Sequence, residues 1–169
     1  MMNNNIILCG FMACGKTTIG KALAFETSFK FIDTDNYIEK KFKMKIKDIF
    51  IEYGENYFRD LEHDAVKSLL GINKYVIAIG GGTILYKKNY NLLKNMGTII
   101  FLDCPLDTIK ERLKYDTQRP LAKSSNLINL FNGRLKKYND LCDLKIRADK
   151  NVPQIVEEIL KYISKNQCQ

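Results

Sequence analysis

The chain has 169 residues, of which 46% are hydrophobic and 27% are charged, and its formal net charge at pH 7 is +8. This length and balance are typical of a single domain with a full hydrophobic core. No apolar run is long enough to span a bilayer, and the N-terminus lacks the basic region of a signal peptide, so we expect neither feature.

The positive charge raises the question of a nucleic-acid partner. The lysines are spread along the chain, and they are not interleaved with aromatic residues of the kind that stack on RNA bases. We therefore expect no nucleic-acid partner and interpret most lysines as a solvated surface that attracts small anions. The five cysteines have no C-x-x-C spacing, which favours a reducing, cytoplasmic location.

Five apolar runs read as buried strands, and helical patterns separate them. The predicted strands are 6–9, 29–32, 75–79, 98–102 and 144–147. The predicted helices are about 16–26, 35–42, 46–53, 55–70, 87–95, 106–114, 125–140 and 153–164. This alternation predicts an α/β fold, a doubly wound three-layer α/β/α domain with a five-stranded parallel sheet. Because such sheets bind ligands at the carboxyl ends of their strands, we expect functional loops after residues 32 and 79 and at about 115–125.

The segment 10–17, GFMACGKT, fills the phosphate-loop pattern G-x-x-x-x-G-K-[ST] between the first predicted strand and the first predicted helix. In this arrangement backbone N–H groups and the helix N-terminus form a cradle for phosphate. Lys16 is placed to reach the β- and γ-phosphates of a nucleotide, and the Thr17 hydroxyl is placed to ligate Mg²⁺. A chance match in a glycine-containing turn is the alternative, and the flanking strand and helix disfavour it.

Two aspartates, Asp33 and Asp35, follow the second predicted strand. On an extended segment residues i and i+2 face the same way, so both carboxylates would lie across the crevice from the phosphate loop. One would hold Mg²⁺, and the other would accept a hydroxyl proton. A helix N-cap at Thr34 or Asp35 is the alternative, and it would account for only one of the two acidic residues.

Arg59 and Glu62 are three residues apart in a helical pattern and can form an ion pair. Two interpretations stay open at this point. The pair is either exposed and contributes only about 0.2–0.5 kcal/mol, or Glu62 orients Arg59 toward a substrate carboxylate. His63, the single histidine, is interpreted as a surface residue.

Three consecutive glycines, Gly80, Gly81 and Gly82, follow the third predicted strand. Because glycine loses the most conformational entropy on folding, a run of three indicates a place where a ligand approaches the backbone closely. A plain tight turn would need only one or two.

Arg112 and the pair Arg119–Pro120 bracket a polar segment that interrupts the helical pattern. This segment either closes over a nucleotide and brings Arg119 to the transferring phosphoryl group, or is an ordinary loop with a solvated arginine. Arg134 and Tyr138 are four residues apart on the next helix, where Arg134 is either a surface cation or a fork for a carboxylate.

Taken in order, these motifs resemble those of the shikimate kinase family over nearly the whole chain: phosphate loop, D-T-D, G-E-x-x-F-R-x-x-E, G-G-G, R-P and R-x-x-x-Y. The phosphate loop alone indicates only the nucleotide-binding superfamily, whereas D-T-D with F-R and G-G-G is more specific. The resemblance implies a P-loop kinase that transfers the γ-phosphate of ATP to the 3-hydroxyl of shikimate, on the pathway to chorismate and aromatic amino acids. It implies one domain over 1–169, with a core of about 1–33, 72–111 and 126–169, substrate-binding helices at about 34–62 and a lid at about 112–125.

The resemblance also implies a role for each matching residue. The catalytic residues would be Lys16, Asp35 and Arg119. ATP would be held by Ala13, Cys14, Gly15, Lys16, Thr17, Thr18, Arg112, Arg119 and Pro153, with Arg112 and Pro153 on either side of the adenine. Mg²⁺ would be held by Thr17 and Asp33. Shikimate would be held by Asp35, Phe50, Phe58, Arg59, Glu62, Gly80, Gly81, Gly82 and Arg134.

The chain departs from the family pattern at Ala13, where many members carry glycine, and we expect an unstrained φ there. Its lid is short and rich in lysine. The closest rival is another small-metabolite kinase such as a gluconate kinase, and a less favoured one is a non-catalytic nucleotide- or RNA-binding module. We expect a cytoplasmic monomer whose partners are small molecules, with no membrane contact.

Overall fold

The five apolar runs form the strands of one sheet in the computed structural model, which describes residues 4–114 and 126–167. The strands are β1 (Asn5–Cys9), β2 (Lys30–Asp33), β3 (Tyr75–Ala78), β4 (Gly97–Asp103) and β5 (Leu144–Arg147). The helices are α1 (Lys16–Thr27), α2 (Thr34–Phe42), α3 (Ile46–Ser68), α4 (Lys87–Lys94), α5 (Leu106–Leu113), α6 (Leu127–Leu141) and α7 (Val152–Gln167). A single 3₁₀ turn, Thr83–Leu85, follows the glycine run.

The strands lie in the order β2-β3-β1-β4-β5, and every neighbouring pair is parallel. The register places Ile7 of β1 between Ile77 of β3 and Ile99 of β4. All three side chains are buried, as a sheet covered on both faces requires. The doubly wound α/β fold with five parallel strands is therefore confirmed.

Helices cover the sheet, with α1 packed against α7 and α3 packed against α4. Among the described residues, none of the helices combines the length and the apolarity needed to cross a membrane. Cys9 and Cys104 are core residues, as the sequence predicts. Burial raises the pKa of the Cys104 thiol to about 11, so it stays protonated at neutral pH.

The helix boundaries agree with the sequence pattern to within a few residues, and the predicted interruption between 46–53 and 55–70 is confirmed. The two helical segments of α3 are separated by a kink at Gly54. Gly54 has φ 81° and ψ 175°, a conformation that glycine adopts without the penalty a side chain would impose. The bend separates the first turns of α3 from the part that carries Phe58, Arg59 and Glu62.

Asn5 is a buried polar residue inside β1, and the sequence pattern did not single it out. Its side-chain amide donates to the carbonyls of Ile72 (2.8 Å) and Met96 (2.9 Å) and accepts from the Tyr75 amide (3.0 Å). These bonds hold together the starts of β1, β3 and β4. Asn5 is only 2% exposed, and its burial is tolerated because its polar atoms are hydrogen-bonded.

Gly20 lies where α1 packs closely against β2 and β1. An ideal Cβ at this position would stand 2.5 Å from Cε2 of Phe31 and 3.3 Å from Cδ1 of Leu8. Gly133 on α6 is also a helical glycine, but its Cβ would meet nothing within 4 Å. The two positions therefore separate the steric effect of a methyl group from its effect on helix propensity.

We expect Gly20→Ala to lower the free energy of unfolding by about 1–3 kcal/mol because the added methyl forces Phe31 and α1 apart. Gly133→Ala is the matched control, and it should raise that free energy by about 0.5–1 kcal/mol through helix propensity alone. Urea denaturation of both variants measures the difference. Equal stabilisation by the two alanines would contradict the close packing of α1.

Candidate active site

Three loops that the sequence singled out meet at one edge of the sheet. The neighbouring strands β2, β3 and β1 are followed by the D-T-D segment, the glycine run and the phosphate loop. Together with α3, α5 and α6 they line a cavity of about 1140 Å³, which exceeds the usual volume of a site for one small ligand. The cavity is therefore large for a single small ligand.

The phosphate loop leads directly into α1, whose N-terminus faces the cavity. Gly10 has φ 140° and Gly15 has φ 101°, and a Cβ on Gly10 would stand 2.8 Å from the carbonyl oxygen of Leu102. The ammonium group of Lys16 donates to the carbonyls of Gly10 and Phe11, at 3.0 Å each. The lysine is thus held over its own loop, beside the helix N-terminus that attracts anions.

The expectation of an unstrained φ at Ala13 is wrong. Ala13 has φ 58°, in the left-handed region that costs a side-chain-bearing residue about 1–2 kcal/mol. Its carbonyl accepts a hydrogen bond from Nη1 of Arg112 at 3.0 Å, which fixes the loop in this conformation. The same nitrogen lies 3.7 Å from Sγ of Cys104, and Arg112 lines the cavity.

Asp33 divides its two carboxylate oxygens between two tasks. Oδ1 accepts from the backbone amides of Asp35 (3.0 Å) and Asn36 (3.3 Å) and so caps α2. Oδ2 accepts from the hydroxyl of Thr17 at 2.7 Å. Thr17 and Asp33 thus bring two hard oxygen atoms together beside the phosphate loop, which is the donor chemistry that Mg²⁺ prefers.

The sequence analysis expected Asp33 and Asp35 on one extended segment, and the N-cap of α2 contradicts this. Helix α2 begins at Thr34, so the cap is Asp33 and not Thr34 or Asp35. Asp35 lies in the first helical turn, and the hypothesis of two carboxylates on one extended segment is wrong. A Cβ built on Gly80 would stand 2.8 Å from Oδ1 of Asp35, which places this carboxylate against the glycine run.

Arg59 and Glu62 form a buried ion pair, and the interpretation as an exposed surface pair is wrong. Nη1 of Arg59 donates to Oε2 of Glu62 at 2.6 Å, and the two residues are 7% and 1% exposed. Nη2 and Nε of Arg59 donate to Oε1 of Glu55, at 2.7 and 3.2 Å. The sequence reasoning gave Glu55 no role, although it is the first glutamate of the G-E-x-x-F-R-x-x-E motif and its i, i+4 spacing to Arg59 is a usable signal.

Arg59 keeps its charge in this setting. Burial lowers the pKa of its guanidinium, but Glu62 and Glu55 outweigh that effect, and the net shift is upward. Both carboxylates are on the same helix as Arg59, so α3 holds the cation at the wall of the cavity.

The glycine run lets these side chains approach the backbone. A Cβ on Gly80 would stand 2.5 Å from Oε1 of Glu62, and one on Gly82 would overlap the guanidinium of Arg59. A Cβ on Gly81 would stand 3.5 Å from Nη1 of Arg134. The run of three is therefore explained in part by packing of the protein's own charged groups.

Arg134 lines the cavity from α6 and so is not a plain surface cation. Its guanidinium lies 5.8 Å from the ring centre of Phe11. Tyr138, one turn later, is buried and donates from its hydroxyl to the carbonyl of Gly81 at 2.5 Å. Burial raises the pKa of this hydroxyl, which therefore remains a donor at neutral pH.

An aromatic wall completes the cavity beside Arg59. Phe50 and Phe58 both line it, and their ring centres are 4.7 Å apart. The Arg59 guanidinium lies 5.5 Å from the ring centre of Phe58. This side of the cavity offers an apolar face next to a fixed cation, which suits a small ring that carries an acid group.

The other expected site residues fall into three groups. The cavity lining includes the remaining expected residues of the phosphate loop, Cys14 and Thr18. Pro153 is exposed at the second position of α7 and does not line the cavity, whereas its neighbour Val152 and Ile155 do. Arg119 and its neighbour Pro120 lie outside the described residues.

His63 is not the surface residue that the sequence suggested. It is half-buried, and its Nδ1 lies 2.7 Å from Oδ1 of Asn89. No helical periodicity of α3 alone could show this contact, because Asn89 comes from α4.

The comparisons with known proteins agree with this geometry. The model of the shikimate kinase family matches residues 12–164. A shikimate kinase of Persephonella marina is 46% identical over 162 residues, which is 94% of this chain and 98% of that one. One from a Sulfurihydrogenibium species is 44% identical over 164 residues, or 95% and 98% of the two chains.

A solved structure supports the same relationship. Shikimate kinase from Acinetobacter baumannii, in complex with shikimate, superposes with a TM-score of 0.93 at 31% identity and covers 99% of this chain and 96% of that one. The family match spans most of the chain, and the motif order, the sheet order and the cavity fit it. The chain belongs to the shikimate kinase family.

Proposed function

We propose that this chain transfers the γ-phosphoryl group of ATP to the 3-hydroxyl of shikimate and releases shikimate 3-phosphate and ADP. The observation that carries the proposal is one cavity that is lined both by the phosphate loop and by the two guanidinium groups of Arg59 and Arg134. The product would feed the synthesis of chorismate and aromatic amino acids, as the family membership implies.

The nucleotide would occupy the end formed by the phosphate loop and α1. The backbone of Ala13 to Thr18 and the dipole of α1 would hold its phosphates, with Lys16 reaching from the loop. Arg112 would lie on one side of the adenine, with Pro153 and the cavity residue Val152 proposed for the other.

Shikimate would occupy the end between α3, the glycine run and α6. Arg59 and Arg134 supply guanidinium groups for its carboxylate, and Glu62 holds Arg59 in place. Phe50 and Phe58 would cover the ring, and Gly80 to Gly82 would let it approach the backbone. Asp35, at the junction of the two ends, would bind the reacting hydroxyl.

Thr17 and Asp33 are the proposed residues for Mg²⁺. Their oxygens already share a hydrogen bond of 2.7 Å, and Mg²⁺ is usually held by one or two protein oxygens together with phosphate and water. When bound, the ion would offset negative charge on the phosphate oxygens.

The rate would come mainly from positioning and charge. The two arginines fix the carboxylate, so that the 3-hydroxyl lies in line with the γ-phosphoryl group. Asp35 orients that hydroxyl and accepts its proton as the bond to phosphorus forms. Lys16 and, from outside the described residues, Arg119 would stabilise the charge on the transferring group.

We further propose that the chain acts as a monomer and as one domain, with the substrate-binding helices at about 34–62 and the lid at about 112–125. The four described cysteines are free thiols, which supports a reducing compartment such as the cytoplasm.

An assay of ADP release with separate additions of shikimate, gluconate, nucleoside monophosphates and RNA tests the proposed substrate. We expect turnover with shikimate alone, because among these compounds only shikimate holds a carboxylate and a hydroxyl at a fixed separation on one carbocyclic ring. Turnover with gluconate and none with shikimate would favour the rival sugar-acid kinase.

Lys16→Ala should lower kcat by about 10²–10³, because it removes a cation from the place where phosphate charge is greatest. Lys21→Ala, on the exposed face of the same helix, is the matched control and should leave kcat unchanged. Steady-state kinetics and circular dichroism measure activity and fold. A folded Lys16→Ala protein with near-normal turnover would contradict the assignment of the phosphate loop.

Arg59→Ala and Arg134→Ala should each weaken shikimate binding by about 2–5 kcal/mol, while ATP binding stays nearly intact. An analogue with the carboxylate reduced to an alcohol should bind weakly to the wild type and lose little more in either variant. Calorimetric titration with both ligands measures this, and Arg147→Ala, an exposed arginine paired with Asp149, is the control. Equal discrimination between acid and alcohol in all four proteins would mean that neither arginine reads the carboxylate.

Asp33→Asn should raise the Mg²⁺ concentration needed for half-maximal activity while leaving the thermal stability nearly unchanged. Asparagine caps helices about as well as aspartate, so α2 keeps its N-cap, but the negative charge toward the ion is lost. Activity against Mg²⁺ concentration, together with a melting curve, separates the two tasks of the residue. An unchanged Mg²⁺ requirement would exclude Asp33 from the metal site.

A further inference from the structure

A buried chain of hydrogen bonds leads from Arg59 away from the cavity. Arg59 donates to Oε2 of Glu62, and the hydroxyl of Thr83 donates to the other oxygen, Oε1. Asn89 donates from Nδ2 to the carbonyl of Thr83 at 3.0 Å. His63 lies at the end, 2.7 Å from Oδ1 of Asn89, and because that oxygen only accepts, Nδ1 of His63 carries the proton.

The residues in the middle of this hydrogen-bond network are buried from solvent. Thr83 is 0% exposed, and Glu62 and Asn89 are each 1% exposed. Burying a carboxylate is tolerated only when its oxygens are paired, and here one oxygen has Arg59 and the other has Thr83. The hydroxyl of Thr83 is therefore a required partner of the carboxylate rather than an incidental neighbour.

The position of Thr83 is itself fixed on two sides. Its amide donates to the carbonyl of Gly80 at 3.1 Å, so it closes the turn made by the glycine run. Asn89, from α4, holds its carbonyl from the other side. The hydroxyl thus presents Glu62 with a donor whose place is set by the turn after β3 and by α4.

The orientation of Arg59 depends on a fixed Glu62, because a second carboxylate also lies within hydrogen-bond distance of its guanidinium. Glu55 accepts from Nε and Nη2, and its side chain is 62% exposed. If Glu62 were free to rotate, the guanidinium would turn toward Glu55 and away from the cavity. Fixing Oε1 of Glu62 leaves Oε2 aimed at Nη1 and sets the plane of the guanidinium.

We propose that Thr83 is a positioning residue for the acid group of the substrate: its hydroxyl fixes Glu62, and Glu62 fixes the guanidinium of Arg59. The inference rests on the proposed function, because it takes shikimate as the ligand of Arg59. Asn89 supports Thr83 in the same task.

The test is steady-state kinetics of the wild type, Thr83→Val and Thr83→Ser, with shikimate and with the alcohol analogue that lacks the carboxylate. Valine keeps the shape of threonine without the hydroxyl, and serine keeps the hydroxyl. We expect Thr83→Val to raise the KM for shikimate about tenfold, because the loss of one hydrogen bond between a misplaced guanidinium and the substrate carboxylate typically costs about that factor. The KM for ATP and the KM for the alcohol analogue should stay as in the wild type, and Thr83→Ser should restore the KM for shikimate.

The acid-specific rise distinguishes positioning from a merely structural role. If Thr83→Val raises the KM values for the acid and the alcohol by the same factor, or leaves both unchanged, the inference is overturned while the proposed function stands. If the wild type itself does not phosphorylate shikimate, both the proposed function and this inference are overturned. Should the valine variant not fold, Thr83→Ala is measured against Thr83→Ser with the same two substrates and the same outcomes.

Discussion

The carboxyl ends of three neighbouring parallel strands, β2, β3 and β1, lie side by side, and each is followed by a loop with a different chemistry. The loop after β1 surrounds the N-terminus of α1, the segment after β2 carries acidic groups, and the turn after β3 consists of glycines. Parallel pairing places these loops at the same edge of the sheet even though about 70 residues separate the first from the last in the sequence. The remainder of the cavity is built around this edge by α3, α5 and α6.

The glycine run does more than admit a ligand. Gly80 leaves room for the carboxylates of Asp35 and Glu62, and Gly82 leaves room for the guanidinium of Arg59. Because glycine has no Cβ, the charged groups can pack directly on the backbone and be shielded from water there. A buried ion pair costs desolvation, so it is weak evidence for a role in stability. The position of the Arg59–Glu62 pair at the wall of the cavity is better explained if Arg59 is a fixed cation for binding an anionic ligand.

Asp33 forms hydrogen bonds to both α1 and α2. One oxygen is bonded to Thr17 at the start of α1, and the other caps α2, whose first turn contains Asp35. A change at the phosphate end therefore acts on the same carboxylate that sets the start of α2. The strained φ of Ala13, held by Arg112, shows that the phosphate loop is likewise fixed by contacts with a distant helix. The site is thus a set of groups whose positions depend on one another rather than a row of independent contacts.

Local periodicity and a short motif predicted the strands, the helices and the phosphate loop, whereas most of the expected cavity residues followed from the resemblance to the shikimate kinase family. The sequence also indicated the bend at Gly54 and the pairing of Arg59 with Glu62. The folded arrangement was needed to show that this pair is buried, that Asp33 is the cap of α2, and that Thr83, held by Asn89, donates to Glu62. These features depend on which elements pack together, and a hydrogen bond between α3 and α4 leaves no periodic trace in either helix. The physical reason is that burial and long-range contact are properties of the assembled chain, whereas periodicity reports only on each element alone.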